Sequence, residues 1–473
     1  MPSASFHFPK GFLWGTATAA HQVEGNNTNN QWWAWEQQEG RILHGHKSGL
    51  ACDWWGGRWK EDFDRAAEGG QNAHRLSVEW SRIQPAPDRW DEEALERYRT
   101  ILRGLRDRGI TPMVTLHHFT DPLWMTDPST PFVPRASAAS AKRSCGRRCE
   151  TAGSRRGWET DEIVPLFGKY VRKTVEALKE YCSLWITVNE PNGYALNGYA
   201  GSVASFPPGK NNLKLAFRVT ANLIRGHAAA YRAIHEIQPE ARVGFALHYR
   251  SFVPYRAWSP LDRFVTRNIF NGVNLPFPSA LASGVMRSPL GSVRIPEAKG
   301  TQDFFGFNYY TRDYVAFDLC RPATLFGRNF YAKDADLSDT GFLANEPEGM
   351  FEGLRWIVRT FPNLPIIVTE NGVEDADDHM RPRYTIQHIH QMWRAVNFNW
   401  PVKGYFHWSL VDNFEWERGW TQRFGLWELD PETQARRKRP SADLYAEICR
   451  ENGITSEMAQ KYCPEVFGKL FPE

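Results

Sequence analysis

Eight short apolar runs, separated by polar loops and amphipathic stretches, constrain this chain more than any other feature. They are Leu13 to Thr18, Ala73 to Val78, Thr111 to Leu116, Leu184 to Val188, Ala241 to Leu247, Asp303 to Asn308, Pro365 to Thr369 and Val402 to Trp408. Nearly continuous apolar strands that alternate with helices such as Glu92 to Arg108 and Ile163 to Tyr181 predict a parallel sheet buried on both faces. Eight such units fit an α/β fold of one kind, a single (β/α)8 TIM barrel with long βα loops. No internal repeat or linker interrupts the pattern, so residues 1–473 read as one domain. The polar residues His118, Asn189, Glu190, Asn308 and Glu370, and Trp408, fall at the ends of the runs. That is the rim where such barrels place their chemistry.

Charge and composition exclude several classes. The formal charge is +3, but residues 134–157 hold seven basic side chains (Arg135, Lys142, Arg143, Arg147, Arg148, Arg155 and Arg156) against Glu150. That segment alone carries +6 and the remainder sums to −3, so the body of the protein is not a nucleic-acid binder by composition. No run of 18 apolar residues occurs, and Met1 to Lys10 lacks the layout of a signal peptide. Seven scattered cysteines make no disulfide framework. These features predict a cytoplasmic protein with no membrane partner, as monomer or homo-oligomer. Residues 134–157, rich in Ala, Ser, Gly and Arg, are expected to form an exposed, mobile loop insertion between the third and fourth units that is dispensable for chemistry. The 14% aromatic content suits stacking on a sugar ring and equally suits a large core.

Two glutamates stand apart, in Ile186-Thr-Val-Asn-Glu190-Pro and Ile366-Ile-Val-Thr-Glu370-Asn-Gly. Pro191 disfavours the α region at Glu190, which predicts an extended backbone there. Gly372 is expected to allow a sharp exit after Glu370. Either glutamate alone would be read as a helix cap or an arginine partner. Together, at the ends of strands four and seven, they suit acetal hydrolysis, one carboxyl protonating the leaving oxygen and the other attacking or activating water.

These two segments resemble the acid/base and nucleophile signatures of family 1 retaining β-glycosidases. The resemblance extends through Phe12-Leu-Trp-Gly, Gln22-Val-Glu24-Gly25, Trp80-Ser-Arg82, Thr115-Leu-His-His118-Phe, Phe206-Pro-Pro-Gly209, Asp303-Phe-Phe-Gly-Phe-Asn308-Tyr-Tyr310 and Trp408-Ser-Leu-Val-Asp-Asn-Phe-Glu415-Trp416. It implies Glu370 as nucleophile, supported by Arg75, Tyr310 and Asn308, and Glu190 as general acid/base. It implies substrate contacts from Gln22, His118, Asn189, Trp408, Glu415, Trp416 and Phe424, a cis peptide between Trp408 and Ser409, and no cofactor or metal. The implied partners are small β-glucosides or short oligosaccharides, with galactosides and fucosides as further substrates. The implied carboxylate separation of about 5–5.5 Å would raise the pKa of Glu190 by repulsion from Glu370.

Other histidines and cysteines carry weaker chemistry. Adjacent residues on a strand face opposite sides, so His117 is expected in the barrel wall while His118 meets the sugar. His388 and His390 diverge on a helix, and His44-Gly-His46 reads as a solvated turn. Cys145 and Cys149 lack a second ligand pair for zinc. Asn26-Asn27-Thr28 matches a glycosylation site that matters only on secretion. Two alternatives remain: a 6-phospho-β-glycosidase, disfavoured by an anionic Glu415, and a non-catalytic sugar-binding relative, disfavoured by the presence of both carboxylates. The departure from the family pattern is the long detour between Pro122-Leu-Trp124 and Gly157-Trp158.

Overall fold

A computed structural model describes residues 4–126, 156–201 and 205–472. Residues 134–155, and with them the expectation for the basic insertion, lie outside the described part.

All eight apolar runs are strands of one closed parallel ring: β1 (Leu13–Ala17), β2 (Ala73–Ser77), β3 (Thr111–Thr115), β4 (Leu184–Asn189), β5 (Arg242–Pro254), β6 (Phe305–Phe317), β7 (Ile366–Asn371) and β8 (Val402–Trp408). The strands follow one another around the ring in chain order; β8 pairs with β1, setting Trp408 opposite Ala17. This is a (β/α)8 barrel. Its strands are buried along almost their whole length, because side chains fill the interior and helices cover the outside.

The helix α1 (Glu92–Arg106) shows why the covering layer forms where it does. Asp91 caps its first turn by accepting from the Ala94 amide at 2.9 Å, Glu92 and Glu93 follow, and Arg103 and Arg106 occupy the last turn, each sign matched to the helix dipole. Its buried face is Ala94, Leu95, Tyr98, Ile101, Leu102 and Leu105, three and four residues apart. Truncating Leu102 to Ala would cost about 2–5 kcal/mol through lost burial and the cavity left behind.

Two strands outrun the expected ends. β5 continues past Leu247 to Pro254 and β6 past Asn308 to Phe317, and beyond the barrel Ser251 to Pro254 still pair with Arg312 to Val315. A further strand, Gly327–Phe330, pairs antiparallel with β6. The extension has its own small apolar cluster of Val265, Ile269 and Val315, which compensates it for leaving the barrel core. It also carries His248 onto the rim.

Among the described residues no helix is long and apolar enough to cross a membrane. Cys52, Cys182, Cys449 and Cys463 are buried free thiols, and Cys320 is exposed.

Candidate active site

β4 ends in Asn189, and Glu190 then turns into the helix α2 (Pro191–Tyr199). Glu190 is not extended as expected: it adopts the left-handed conformation, φ 42° and ψ 57°. Pro191 closes the right-handed α region but not this one, and two backbone bonds fix it. The Glu190 amide donates to the Ala246 carbonyl at 2.8 Å, and its carbonyl accepts from the Tyr194 amide at 2.9 Å. The reason for Gly372 is also different. Its φ is not among the positive ones; a Cβ there would lie 2.0 Å from the Trp408 carbonyl oxygen, so glycine is needed for close approach rather than for a turn.

Glu370, at the end of β7, is buried against a permanent cation. Arg75 Nη1 donates to its Oε1 at 2.6 Å and Tyr310 Oη to its Oε2 at 2.6 Å. Arg75 is fully buried and spends its other donors on Thr115 Oγ1, the Thr369 carbonyl and Asn189 Oδ1. Burial and the neighbouring carboxylates Glu370 and Glu190 push the Tyr310 phenol well above its ordinary value, so it stays a donor.

Asn308 does not support Glu370 as expected. Its Nδ2 donates to Glu190 Oε1 at 2.9 Å and to Asn189 Oδ1 at 3.2 Å, while its Oδ1 accepts from Thr369 Oγ1 at 2.6 Å. On β6 it sits in register with Glu370 on one side and His248 on the other, and its side chain turns to Glu190. His248 Nδ1 lies 3.0 Å from the same Oε1. Glu190 Oε2 faces Gly193, where a Cβ would come within 3.2 Å.

Two carboxyls buried in one cavity cannot both ionise freely. Burial pushes Glu370 up to about 7, with Arg75 opposing and the charge of Glu190 adding to the rise. Burial acts on Glu190 in the same sense, but His248, Asn308 and Arg75 outweigh it and pull its carboxyl below the ordinary value, opposite to the rise expected from repulsion by Glu370. Arg75, in direct contact with Glu370, favours the anion on that carboxyl.

Opposite the carboxyls, polar atoms wait without partners. His118 Nε2 lies 3.0 Å from Asn189 Nδ2, which donates to it, so the ring hydrogen falls on Nδ1, and that buried atom has no hydrogen-bond partner. Burial and Arg75 hold this imidazole well below its ordinary value, hence neutral. Gln22 donates from Nε2 to Glu415 Oε2 and the Phe414 carbonyl, both at 2.9 Å, and its buried Oε1 is likewise unpartnered. Asn413 Nδ2 also donates to Glu415 Oε2, at 3.0 Å. Burial, followed by the charges of Glu417 and Glu370, pushes Glu415 up to about 8. The expectation of a fixed anion at Glu415 is therefore corrected: burial favours its neutral form well above the ordinary carboxyl range.

His118, Asn189, Glu190, Tyr310, Glu370, Trp408, Glu415, Trp416 and Phe424 line one cavity of about 150 Å³. The Trp408–Ser409 peptide is cis, as the resemblance implied. The His118 ring lies near-parallel to those of Trp408 and Trp416, at 26° and 19°. Phe119 and Phe206, from two of the motifs, also line it, and Asn197, His248, Arg250, Phe342, Leu343, Glu417 and Arg418, which were not singled out from the sequence, complete the wall. Strand-end logic would have found His248 had β5 been extended by one residue.

The remaining motif residues are supports. Glu24 Oε2 receives Arg82 Nε at 2.8 Å and its Oε1 the Tyr98 hydroxyl at 2.7 Å, tying the loop after β1 to the one after β2. His117 is buried as expected, 3.0 Å from Asp121, which also accepts from Trp158 and Tyr194. His388 packs on Tyr384. His46 is not simply solvated: its Nδ1 accepts from the Trp420 amide at 3.0 Å. Among the described residues no group of three or more His, Cys, Asp or Glu side chains could hold a metal ion.

The sequence profile described as glycosyl hydrolase family 1 matches residues 4–136, 151–271 and 292–454. A β-galactosidase of Sulfolobus acidocaldarius is 32% identical, with 95% of this chain and 96% of that protein covered. A solved β-glycosidase from Pyrococcus horikoshii superposes with a TM-score of 0.83 at 34% identity, over 97% of this chain and 98% of that one. The β-glucosidase from Thermotoga maritima in complex with glucoimidazole does so with a TM-score of 0.83 at 28% identity, over 95% and 100%.

Proposed function

The chain belongs to glycosyl hydrolase family 1, and from that premise we propose that it is a retaining β-glycosidase acting on terminal, unphosphorylated β-D-glucosides. The observation that carries this reading is the pairing of two differently held carboxyls with an orphaned sugar-binding atom in one cavity. Glu370 is paired with Arg75 and Tyr310, Glu190 offers its Oε2, and His118 Nδ1 stands ready as a donor for a ring hydroxyl, while Gln22, which does not itself line the cavity, holds Glu415 from behind. Trp408 supplies an apolar face beneath the ring.

In the first step Glu370 attacks the anomeric carbon while Glu190 passes its proton to the glycosidic oxygen. The C1–O bond breaks, the aglycone leaves as an alcohol, and the sugar remains as an ester of Glu370. That ester removes one negative charge from the cavity, so Glu190 is now free to stay ionised. It takes a proton from water as the water oxygen attacks C1 on the face the aglycone left. Glu370 departs as carboxylate and the product keeps the β configuration.

The 6-phospho alternative finds little support. Glu415 and Glu417 both border the cavity, Arg418 lies 3.5 Å from Glu417, and Arg250 is paired with Asp313. A phosphate would have to compete with Glu417 for Arg418 and with Asp313 for Arg250. A galactosidase reading has one point in its favour, the name of the Sulfolobus relative. We place the enzyme in the cytoplasm as one catalytic domain over 1–473. Turnover of p-nitrophenyl β-glucoside, β-galactoside, β-fucoside and β-6-phosphoglucoside tests the substrate class. Highest kcat/KM on the glucoside is expected, and highest on the phosphorylated sugar would overturn the reading.

A further inference from the structure

We propose that His248 is a positioning residue for the acid/base, its imidazole Nδ1 acting with Asn308 to occupy Oε1 of Glu190 so that Oε2 alone carries the exchangeable proton. The inference rests on Glu190 being the acid/base and adds what sets its behaviour.

The geometry is specific. His248 on β5 and Asn308 on β6 are direct register partners, and both reach the same oxygen, at 3.0 and 2.9 Å. An oxygen that already accepts two hydrogen bonds is a poor place for a proton, so the proton localises on Oε2. The imidazole is itself held. Its ring lies near-parallel to the Tyr310 ring, at 22° and 6.1 Å, and its backbone carbonyl accepts from Asn192 Nδ2 at 2.7 Å, the second residue of α2. The strand and helix that frame Glu190 are thereby joined on both sides of it.

The charged and titratable surroundings are few. Glu190 faces the imidazole from the end of β4 and Tyr310 from β6, with Glu370 behind Tyr310 and Arg75 behind Glu190. Arg250, two residues along β5, is turned to Asp313 with contacts of 3.0 and 2.7 Å and to Tyr331 at 3.1 Å. In this setting an Nδ1–H donor on Oε1 stabilises the Glu190 carboxylate and leaves Oε2 to a group that must hold a proton in one step and lack it in the next. The His248 side chain is 27% exposed against 11% for Glu190, so it is the member of the pair nearer solvent.

The test is the pH profile of kcat/KM for an alkyl glucoside and for 4-nitrophenyl glucoside, in wild type, His248→Ala and His248→Asn. Loss of a donor to the charged form raises the Glu190 pKa, so the basic limb of His248→Ala is expected to move to higher pH by about one unit. The alkyl substrate should lose about tenfold more than the nitrophenyl one. Asn, whose amide N–H reaches toward the same oxygen, should restore the wild-type limb. A basic limb unmoved in His248→Ala, or equally displaced in both variants, would overturn the proposal. Azide rescue of Glu190→Ala, measured alongside, separates the two layers. Rescue with an unmoved limb defeats the role of His248 alone, whereas no rescue defeats the assignment of Glu190 on which it rests.

Discussion

The two carboxyls of the cavity are held in opposite ways. Glu370 meets a permanent cation and a phenol whose proton is held by burial, one donor on each oxygen. Glu190 meets an amide and an imidazole, both on one oxygen. The contrast matches the demands of the reaction. A nucleophile must be an anion whenever it attacks, and a fixed charge beside it ensures that. An acid/base must gain and lose charge in every turnover, and with both donors on Oε1 its Oε2 is left to do so.

Variants that erase this asymmetry should rank in order of what each side supplies. Glu370→Gly removes the covalent route altogether, and kcat for an aryl glucoside should fall by about 10⁵-fold, roughly 7 kcal/mol. A fall of less than a hundredfold would mean that the Arg75-paired carboxyl is not the attacking group. Glu190→Ala should cost 10²–10⁴-fold, about 3–5 kcal/mol, on alkyl glucosides and far less on activated aryl ones. Azide, entering the room left by the side chain, should restore turnover and give a β-glycosyl azide. Equal losses for all leaving groups would remove Glu190 from the acid role. Tyr310→Phe keeps Arg75 in place and deletes one charge-assisted bond to Glu370. A loss of about 1.5–3 kcal/mol in transition-state binding, roughly 10–100-fold in kcat/KM, is expected at every leaving group. A loss confined to poor leaving groups would place Tyr310 on the acid/base side instead.

The smallest effect is on stability. Burial raises Glu415 to about 8, and outside the cavity it raises Glu79 to about 7. In each case the unfolded chain releases its proton at lower pH than the folded one. The contribution is therefore complete below the unfolded carboxyl pKa and is lost as pH rises through 7 to 8. The thermal midpoint should decline between pH 5 and pH 8, and Glu79→Gln should flatten the decline while leaving the activity profile in place. An unchanged slope in that variant would contradict the assignment.

The barrel was legible because parallel strands buried on both faces leave continuous apolar runs, and all eight were visible. The strand-end glutamates were legible for the same reason, since each closes such a run. What escaped notice depended on contacts between distant residues. Asn308 is adjacent in register to both Glu370 and His248, and only the side-chain rotamer decides that it serves Glu190. The left-handed turn at Glu190 comes from a hydrogen bond to Ala246, 56 residues away in sequence. The preference of Glu415 for its neutral form follows from burial that no motif reports. His248 lay one residue beyond a run judged to end at Leu247, because the rim extension of β5 has only a small apolar cluster to mark it.

The central claim is that Glu370 forms the covalent bond. The enzyme should be inactivated by a 2-deoxy-2-fluoro-β-glucoside with an activated leaving group, digested, and its labelled peptide sequenced by mass spectrometry. The account predicts one fluoroglucosyl ester, carried by Glu370 within Ile366 to Gly372. A label on Glu190, on Glu415 or on any other carboxyl would contradict it.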